Sequence, residues 1–556
     1  MNRNVESHFA ELPKVDIQRS IFDRSTDHKT SFNVGELIPF FVDEVLPGDT
    51  FNVETSVVVR LQTLLTPIMD NAYLDTYYYY VRDLNIWDHT REFFGENTTG
   101  AWIPQVSYNI PVINAPSGGW NVGTLADYFG IPTGKYIIGI NALPFRAYAS
   151  IVDNWFLDQN VQQPLSWSKG DSAVTGSNGS NYITDVPLGG KPFVAAKYHD
   201  YFTSCLPAPQ KSLPISVFGN QIGGSGAALE SLVPVYTTSA SHGGGSQFQA
   251  LKMVPNNSPT TERLLASTGN SVGTSLDIGN SSSTLRWQPI NLWADVGAME
   301  LSINQLRLAF QLQKFAEKNA RAGSRYREVI KEHFGVTTED GIMHIPEYLG
   351  GHRFPLSIHQ VANQSQGVND FLGDLGAMSM TADVHSDFVK SFSTHGYVIG
   401  VAVVRYDHSY PQGLERMWSR SSIRDFYWPV FANIGEQPVL KKEIYCEDAT
   451  VDTTGVNDTV FGYQEAWAEY RYKPNRVSGE MRPGVTNSLA TWHLADNYNT
   501  WPSLSASWIA EDKSNVDRVL AVQSSTSNQV FCDFYVKNRC TRCMPMYSIP
   551  GLIDHH

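Results

Sequence analysis

The stretch FNVETSVVVRLQ, residues 51–62, decides the fold class. Its apolar residues Phe51, Val53, Val57, Val59 and Leu61 stand at every second position, and mainly polar side chains fill the positions between them. Alternation with a period of two is typical of a strand with one buried and one solvated face. The stretch therefore predicts a half-buried β-strand.

Four further strands are predicted from runs of β-branched and aromatic residues. The four consecutive tyrosines from Tyr77 to Tyr80 suit a sheet that is covered on both faces. Long irregular stretches separate the strands, and the regular spacing of βαβ units is missing, so we expect an antiparallel sandwich or barrel with large insertions. The four strands are predicted at 73–81, 396–405, 461–472 and 530–538.

One region has a helical pattern. Ser302 and Gln305 fit a capping box, and apolar residues then recur at helical spacing as far as Phe310. A second helix is predicted to start at Ser324 and to stop at Gly335. The pair predicts a small helical hairpin inserted into a β scaffold.

The composition excludes several classes of protein. Of the 556 residues, 42% are hydrophobic, which is enough for a sizeable core, and only 17% are charged. The net charge of −14 disfavours nucleic-acid binding over the whole surface. We expect no membrane span and no secretory signal, because no apolar run approaches about 18 residues. Five scattered cysteines predict no disulfide framework, so the chain is expected to be made in a reducing cytosol.

Two segments differ from the rest of the chain. Residues 1–33 carry many charges with little periodicity and are expected to form an extended N-terminal arm. Residues 212–286 contain 24 Gly or Ser and only six charged residues among 75 positions. Because many apolar residues are interspersed there, an ordered surface insertion is favoured over a flexible linker.

No catalytic motif in the sequence has the flanking elements or partner residues that its chemistry requires. Residues 269–273 match G-x-S-x-G by letter, but Gly/Ser-rich sequence flanks them where a strand and a helix are required. Cys540 and Cys543 lack the partners of a zinc site and are expected to be ordinary thiols. Glu465 and Glu469, placed on one strand, would stand about 13 Å apart, too far for a glycosidase pair. We therefore expect no enzyme, no cofactor and no metal site.

Cations and aromatic rings alternate in two stretches of the second half. Alternation of this kind suits either a protein–protein contact or an unpaired nucleic acid strand, and the acidic charge of the chain favours the contact. The candidate subunit-contact or DNA-facing residues are Arg416, Trp418, Arg420, Arg424, Tyr470, Arg471, Tyr472, Lys473 and Arg476.

Seven stretches carry a resemblance to a known family. The sequence closely resembles the major capsid proteins of microviruses, small single-stranded DNA bacteriophages, and specifically those of the gokushovirus branch. The matching stretches are FNVGELIPFFVDEVLPGDTF (32–51), AKYHDYFTSCLPAPQK (196–211), LRLAFQLQKFAEKNARAGSRYREVIKEHFGV (306–336), PEYLGG (346–351), GLERMWSR (413–420), FGYQEAWAEYRYKP (461–474) and IPGLIDHH (549–556).

The resemblance implies an eight-stranded antiparallel jelly roll with long inserted loops. It implies a T=1 icosahedral shell of 60 copies around a circular single-stranded DNA genome, in a virion made in the bacterial cytoplasm. It also implies a small basic DNA-binding protein and a pilot protein as partners. Residues 212–286 would correspond to a variable protrusion at the three-fold axes that contacts a host-cell receptor, with Phe218, Tyr236 and Phe248 as candidate host-contact residues.

The expected organisation has four parts. The arm (1–33) is followed by the first part of the jelly roll (34–211), the surface insertion (212–286), and a final part with the helical insertion, the remaining strands and the C-terminal tail (287–556). The alternative function, motivated by 13 Trp, 26 Tyr and the acidic balance, is a carbohydrate-binding or carbohydrate-active β-sandwich.

Overall fold

The computed structural model describes most of the chain outside the Gly/Ser-rich insertion. The described residues are 18–97, 100, 106–212, 303–337, 344–364, 372–373 and 375–547, together with the backbone of five short strands between 235 and 294. The chain divides into two compact units, one comprising residues 1–209 with 320–556 and the other residues 210–319. The first unit is mainly β, which confirms the predicted fold class.

Two antiparallel sheets form the centre of the first unit, with five strands each among the described residues. In chain order the ten strands are β1 (Ser20–Asp23), β2 (Thr26–Phe32), β3 (Ile38–Val45), β4 (Thr50–Leu61), β5 (Ala72–Arg82), β6 (Glu347–Gly350), β7 (Arg353–Pro355), β8 (Thr381–Ser391), β9 (Gly396–Tyr406) and β10 (Val530–Arg542).

The pairing of these strands brings distant parts of the chain together. In the first sheet, β10 pairs with β1 and β2 on one side and with β4 on the other, and β4 pairs with β8. In the second sheet, β9 lies between β3 and β5, and β5 pairs with β6 and β7. Four of the five strands predicted from the sequence therefore lie in the sandwich, as β4, β5, β9 and β10.

The sheets contain ten strands where the resemblance implies eight. Two positions are each occupied by two short strands: β1 and β2 both pair with β10, and β6 and β7 both pair with β5. Between β6 and β7, Gly351 lies so close to the neighbouring strand that a Cβ atom there would stand 2.0 Å from the Thr76 carbonyl oxygen. A side chain at this position would push the strand pair apart.

The expected arm over residues 1–33 needs a correction at its C-terminal end. Residues 20–23 and 26–32 belong to the first sheet because both pair with β10. Arg24, between them, keeps the register by donating its backbone N–H to the Asn538 carbonyl oxygen at 2.9 Å. Residues 1–17 of the expected arm lie outside the described residues.

One hydrophobic core fills the space between the two sheets. Phe40 of β3 stacks on Phe534 of β10 with ring centroids 4.5 Å apart. The hydroxyls of Thr55 on β4 and Tyr78 on β5 are hydrogen-bonded at 2.7 Å across the same space. These contacts join the two sheets face to face into a β-sandwich.

A second core covers the other face of the second sheet. Tyr79 of β5 and Ile399 of β9 are buried there, whereas Tyr78 and Tyr80 face the inter-sheet core. The covering layer comes from residues 83–195 and includes the helix Leu143–Ile151. The tyrosine run therefore has both faces covered, as the sequence predicts.

Helices and further strands make up the rest of the described part. The helices are α1 (Asp83–Ile86), α2 (Thr90–Phe93), α3 (Leu125–Tyr128), α4 (Leu143–Ile151), α5 (Ile303–Arg321), α6 (Tyr326–Phe334), α7 (Ala506–Ile509) and α8 (Ser514–Asp517). Both predicted long helices are present, and Gly335 caps α6 in a left-handed conformation. The remaining strands are Val112–Asn114, Ile140–Asn141, Val174–Thr175, Val235–Thr237, Leu251–Pro255, Arg263–Leu265, Trp287–Pro289, Leu292–Ala294, Ile358–Ala362, Leu375–Ser379, Glu436–Leu440 and Val460–Glu465.

The second unit contains the expected surface insertion and extends beyond it. Its described strands form one three-stranded and one two-stranded antiparallel sheet. The unit runs from residue 210 to residue 319, so it also takes in most of α5. Of the candidate host-contact residues, Phe218 and Phe248 lie outside the described residues, and Tyr236 is described only as backbone opposite Trp293.

Candidate subunit interface

The predicted cation and aromatic residues lie together on one irregular surface of the first unit, which we call the 415–476 surface. It is built from residues 415–434 and 465–476 and rests on a third hydrophobic core. Between the two segments, Glu436–Leu440 and Val460–Glu465 pair as a short antiparallel ribbon. Tight 3₁₀ turns shape the remainder, at Arg416–Ser419, Ile423–Asp425, Pro429–Phe431 and Ala468–Tyr470.

The strand predicted over 461–472 is wrong beyond Glu465. Trp467 adopts a left-handed backbone conformation, with φ of 66°, which no strand continues through. Its buried indole N–H donates to the Phe431 carbonyl oxygen at 2.8 Å and so fixes this turn. Glu465 and Glu469 therefore do not share a strand face, and the 13 Å separation expected for them does not apply.

Arg416 and Arg420 are held by carboxylates. A nitrogen of Arg420 lies 3.2 Å from Oε1 of Glu469, and Arg416 lies 3.8 Å from both Glu469 and the buried Glu443. Arg416 also donates to the Pro438 carbonyl oxygen at 3.0 Å. These guanidinium groups are largely covered and neutralised, so they offer little to a phosphate.

The cations of the second segment are paired as well. Arg471 forms an ion pair with Glu465, and Glu415 accepts from both Lys473, at 2.6 Å, and Arg476. The hydrogen bond from Arg476, together with Lys473, lowers the pKa of the Glu415 carboxyl to about 2. Among the described residues Arg424 has no ion pair within 4 Å, so one of the six predicted cations is left unpaired.

The aromatic side chains form the exposed part of the surface. Trp418 is 67% exposed, and Tyr470 and Tyr472 are each half exposed. The guanidinium of Arg420 lies 4.4 Å from the ring centroid of Tyr470, a cation–π contact that holds the ring in place. Rigid exposed rings over neutralised charge are typical of protein–protein contacts.

Sequence reasoning missed part of this surface. Val430, at 88%, is among the most exposed apolar side chains, and Ile423 and Ile434 extend the apolar area. The neutralising carboxylates Glu415 and Glu469 were also missed as members of the site. The aromatic stretch 426–429, with Trp428, belongs to the predicted cluster, and a signal was also present for Val430, since the run FYWPVF (426–431) contains no charge. The pairing of Glu469 with Arg420 depends on a contact across 49 positions that no local pattern reveals.

Two clefts share Glu415 and Glu443 in their walls. One has a volume of about 190 Å³ and is lined by rings that include Tyr201 and Tyr472. The other has a volume of about 400 Å³, and Trp418 stands in its wall. These clefts give the 415–476 surface depressions beside its exposed rings, a relief that a complementary protein surface would fill.

The described residues contain no group of three or more His, Cys, Asp or Glu side chains arranged to hold a metal ion. The five cysteines are free thiols, and burial raises the pKa of Cys540 to about 11. Within the described part of the chain, we find no helix with the length and apolar character needed to cross a bilayer.

Known proteins resemble this chain over almost its full length. The sequence model of the family described as "Capsid protein (F protein)" matches residues 10–552. The "Capsid protein VP1" of Spiroplasma virus 4 is 41% identical over 94% of each chain. Those of Chlamydia phage 1 and Bdellovibrio phage phiMH2K are 39% and 36% identical, each over 99% of this chain and 98% of the relative.

These matches confirm the resemblance that the seven sequence stretches indicate. They span the β-sandwich, the helices α5 and α6 and the segments of the 415–476 surface. The chain therefore belongs to the phage capsid protein (F protein) family.

Proposed function

We propose that this chain is the major structural protein of a microvirus virion, and that 60 copies form a T=1 icosahedral shell around a circular single-stranded DNA genome. Membership of the F-protein family supports the structural role. The names of the three relatives, each a capsid protein of a small virus or phage, support it further. The role is one of assembly and requires no catalysis.

The observation that carries the assembly role is the 415–476 surface. A solitary chain would expose Trp418, Ile423 and Val430 together to water. Large exposed apolar areas rimmed by paired charges mark protein contacts. Because most of its cations are paired, the surface presents mainly rings and aliphatic side chains, and we propose a second copy of this chain as the partner.

The shell also needs partners that neutralise its cargo. With a net charge of −14, the chain is poorly suited to balance the phosphates of a genome by itself. A small basic DNA-binding protein supplies that charge in our proposal, and a pilot protein accompanies the genome.

The surface insertion at 212–286 contacts the host-cell receptor in our proposal, where many weak contacts act together across the shell.

Truncation of Trp418 tests the assembly role. We expect Trp418→Ala to leave the subunit folded and to abolish closed shells, because truncating a central contact residue often costs about 2 kcal/mol or more per contact. The loss recurs at every symmetry-related contact. Electron microscopy and sedimentation of the purified protein measure shell formation.

The matched control is Trp418→Phe, which keeps an aromatic ring at the same position and should retain shells. If Trp418→Ala subunits assemble at the wild-type concentration, the 415–476 surface is not the contact.

The attachment role has a separate test. Replacing residues 225–280 with a short Gly/Ser linker should give particles that package DNA and fail to adsorb to cells. Normal adsorption would exclude that role.

A further inference from the structure

The two sheets of the sandwich differ in what covers their outer faces. The outer face of the second sheet is buried under the layer formed by residues 83–195. The outward side chains of β4 and β10, in the first sheet, remain exposed or half-exposed along the strands. We call this solvent-facing side of the first sheet the open-sheet face, and it has no role in the interface described above.

Two aromatic rings lie on the open-sheet face. Phe531 is 38% exposed and Tyr535 is 47% exposed, and both belong to the central strand β10. Four residues of strand separate them by about 13 Å along one face. The rings therefore form two fixed platforms at the middle of a sheet.

Two arginines flank these rings. Arg60 on β4 stands opposite Phe531 in the strand register, and Arg539 lies four residues beyond Tyr535 on β10. Within the described residues neither arginine has a carboxylate within 4 Å, and the side chain of Arg60 contacts the Met380 sulfur at 3.6 Å. Asp23 stands opposite Arg539 in the strand register but beyond ion-pair distance, so both exposed guanidinium groups remain available to an incoming anion.

The charges of the open-sheet face cancel when the two arginines are included. Lys537 pairs with Glu54 at 2.7 Å, and Lys29 pairs with Asp27. Asp23 and Asp533, with the two arginines, complete a set of four acidic and four basic side chains. A face without net charge does not attract a polyanion over long distances. Binding there has to come from contacts at short range.

We infer that the open-sheet face binds unpaired single-stranded DNA, with bases stacked on Phe531 and Tyr535 and phosphates contacted by Arg60 and Arg539. Exposed rings on a sheet beside unpaired arginines suit unpaired bases because every base has a stacking face. This inference rests on the proposed function, which supplies the genome as the DNA. It places the DNA on a different surface from the candidates predicted from the sequence.

A second copy of this chain fits the open-sheet face less well. A protein contact would have to bring a carboxylate to each of the two guanidinium groups, because leaving a charge buried and unpaired is costly. Phosphates relieve that cost and the rings take up the bases. Exposed apolar side chains on β8, the strand beyond β4, widen the area that bases can cover, namely Val384 and Val389.

The test compares two oligonucleotides on the full-length purified protein. Fluorescence anisotropy measures binding of a labelled 20-nucleotide oligo-dT and of an abasic 20-mer with the same phosphate charge. We expect the abasic strand to bind at least fivefold more weakly to the wild type. Phe531→Leu with Tyr535→Leu keeps the apolar volume and should weaken oligo-dT binding fivefold or more, since stacking contributes about 1–3 kcal/mol per base.

The salt dependence of oligo-dT binding tests the role of the two arginines. Arg60→Gln with Arg539→Gln should lower the dependence of log K on log salt by about 1.4, because each phosphate contact to a single strand contributes about 0.7. Trp418→Ala is the control on the 415–476 surface and should leave oligo-dT binding unchanged while blocking shells. This control tests the two proposals separately. Shell formation by Trp418→Ala tests the proposed function, and oligo-dT binding by the Leu variants tests the inference.

Three outcomes would overturn the inference. In the first, the Leu variants bind oligo-dT as the wild type does. In the second, the abasic strand binds as tightly as oligo-dT, which reduces the contact to charge alone. In the third, sedimentation shows that Tyr535→Leu alters subunit association while oligo-dT binding is unchanged, which assigns the open-sheet face to a second copy of the chain.

Discussion

The 415–476 surface and the open-sheet face carry the same residue types and differ in how their cations are paired. On the 415–476 surface the guanidinium groups of Arg416 and Arg420 are held by glutamates, and exposed rings lie against them, as Tyr470 does against Arg420. On the open-sheet face Arg60 and Arg539 stand without a carboxylate partner beside half-exposed rings. Arginine next to an aromatic ring therefore does not by itself identify the partner, because the pairing of the arginine decides what the surface can bind.

The cost in stability of removing one partner from an ion pair depends on how deeply the pair is buried. The most deeply buried pairing among the described residues surrounds His408, just beyond β9. Its Nδ1 lies 2.7 Å from Asp496, its Nε2 lies 2.8 Å from Glu511, and Lys197 contacts Asp496 at 3.4 Å. All four side chains are at most 3% exposed. Removing one partner here leaves a charge that water does not reach.

The largest effect is expected for Asp496→Asn. The change leaves the charges of His408 and Lys197 without their shared carboxylate, and breaking a buried ion pair in this way costs about 3–5 kcal/mol. Urea unfolding followed by circular dichroism measures the loss. The matched control is Glu54→Gln, which breaks an exposed pair. Equal losses in the two variants would contradict the dependence on burial.

The pH dependence of stability gives the next effect. Burial opposes the charged imidazole of His408, but Asp496 and Glu511 outweigh burial and raise the pKa of His408 to about 9. A raised pKa means that the stabilisation is complete below about pH 6.5 and is lost as the pH rises through 9. The expected loss is about 3 kcal/mol, because each tenfold gain in the proton affinity of the folded state corresponds to about 1.4 kcal/mol.

Urea unfolding at pH 6 and pH 9.5 measures this loss. His408→Gln removes the titrating group and should flatten the dependence across that interval. A variant that loses stability between the two pH values as steeply as the wild type would assign the titration to another group.

A smaller effect is expected when the 415–476 surface is changed so that more of its cations, like the arginines of the open-sheet face, are unpaired. Glu415→Gln with Glu469→Gln releases Arg420, Lys473 and Arg476 from their carboxylates on the 415–476 surface and leaves Arg416 beside Glu443 alone. We expect oligo-dT binding to strengthen several-fold at low salt, because cations freed beside exposed rings resemble the open-sheet face. The same anisotropy assay measures this gain. Unchanged binding would show that pairing does not distinguish the two surfaces.

The sequence predicts those parts of the molecule that follow a local period. Alternation predicts β4, the tyrosine run predicts a sheet covered on both faces, and Gly335 predicts the end of α6. The turn at Trp467 was missed because tertiary contacts hold its left-handed backbone, and the sequence reads as a continuing strand. The pairing of β10 with β4 joins positions more than 450 residues apart. No local pattern contains such a contact, and the same holds for the ion pair between Arg420 and Glu469.

The smallest effect is expected at the exposed pair of the open-sheet face. Lys537 and Glu54 lie 2.7 Å apart, but each is more than two-fifths exposed, so water and salt screen their attraction. Lys537→Gln should therefore leave the urea midpoint of unfolding close to that of the wild type. Urea unfolding at low and high salt measures the change, which should shrink further at high salt. A loss of several kcal/mol would mean that the open-sheet face is covered in the purified protein, which conflicts with an open platform for DNA.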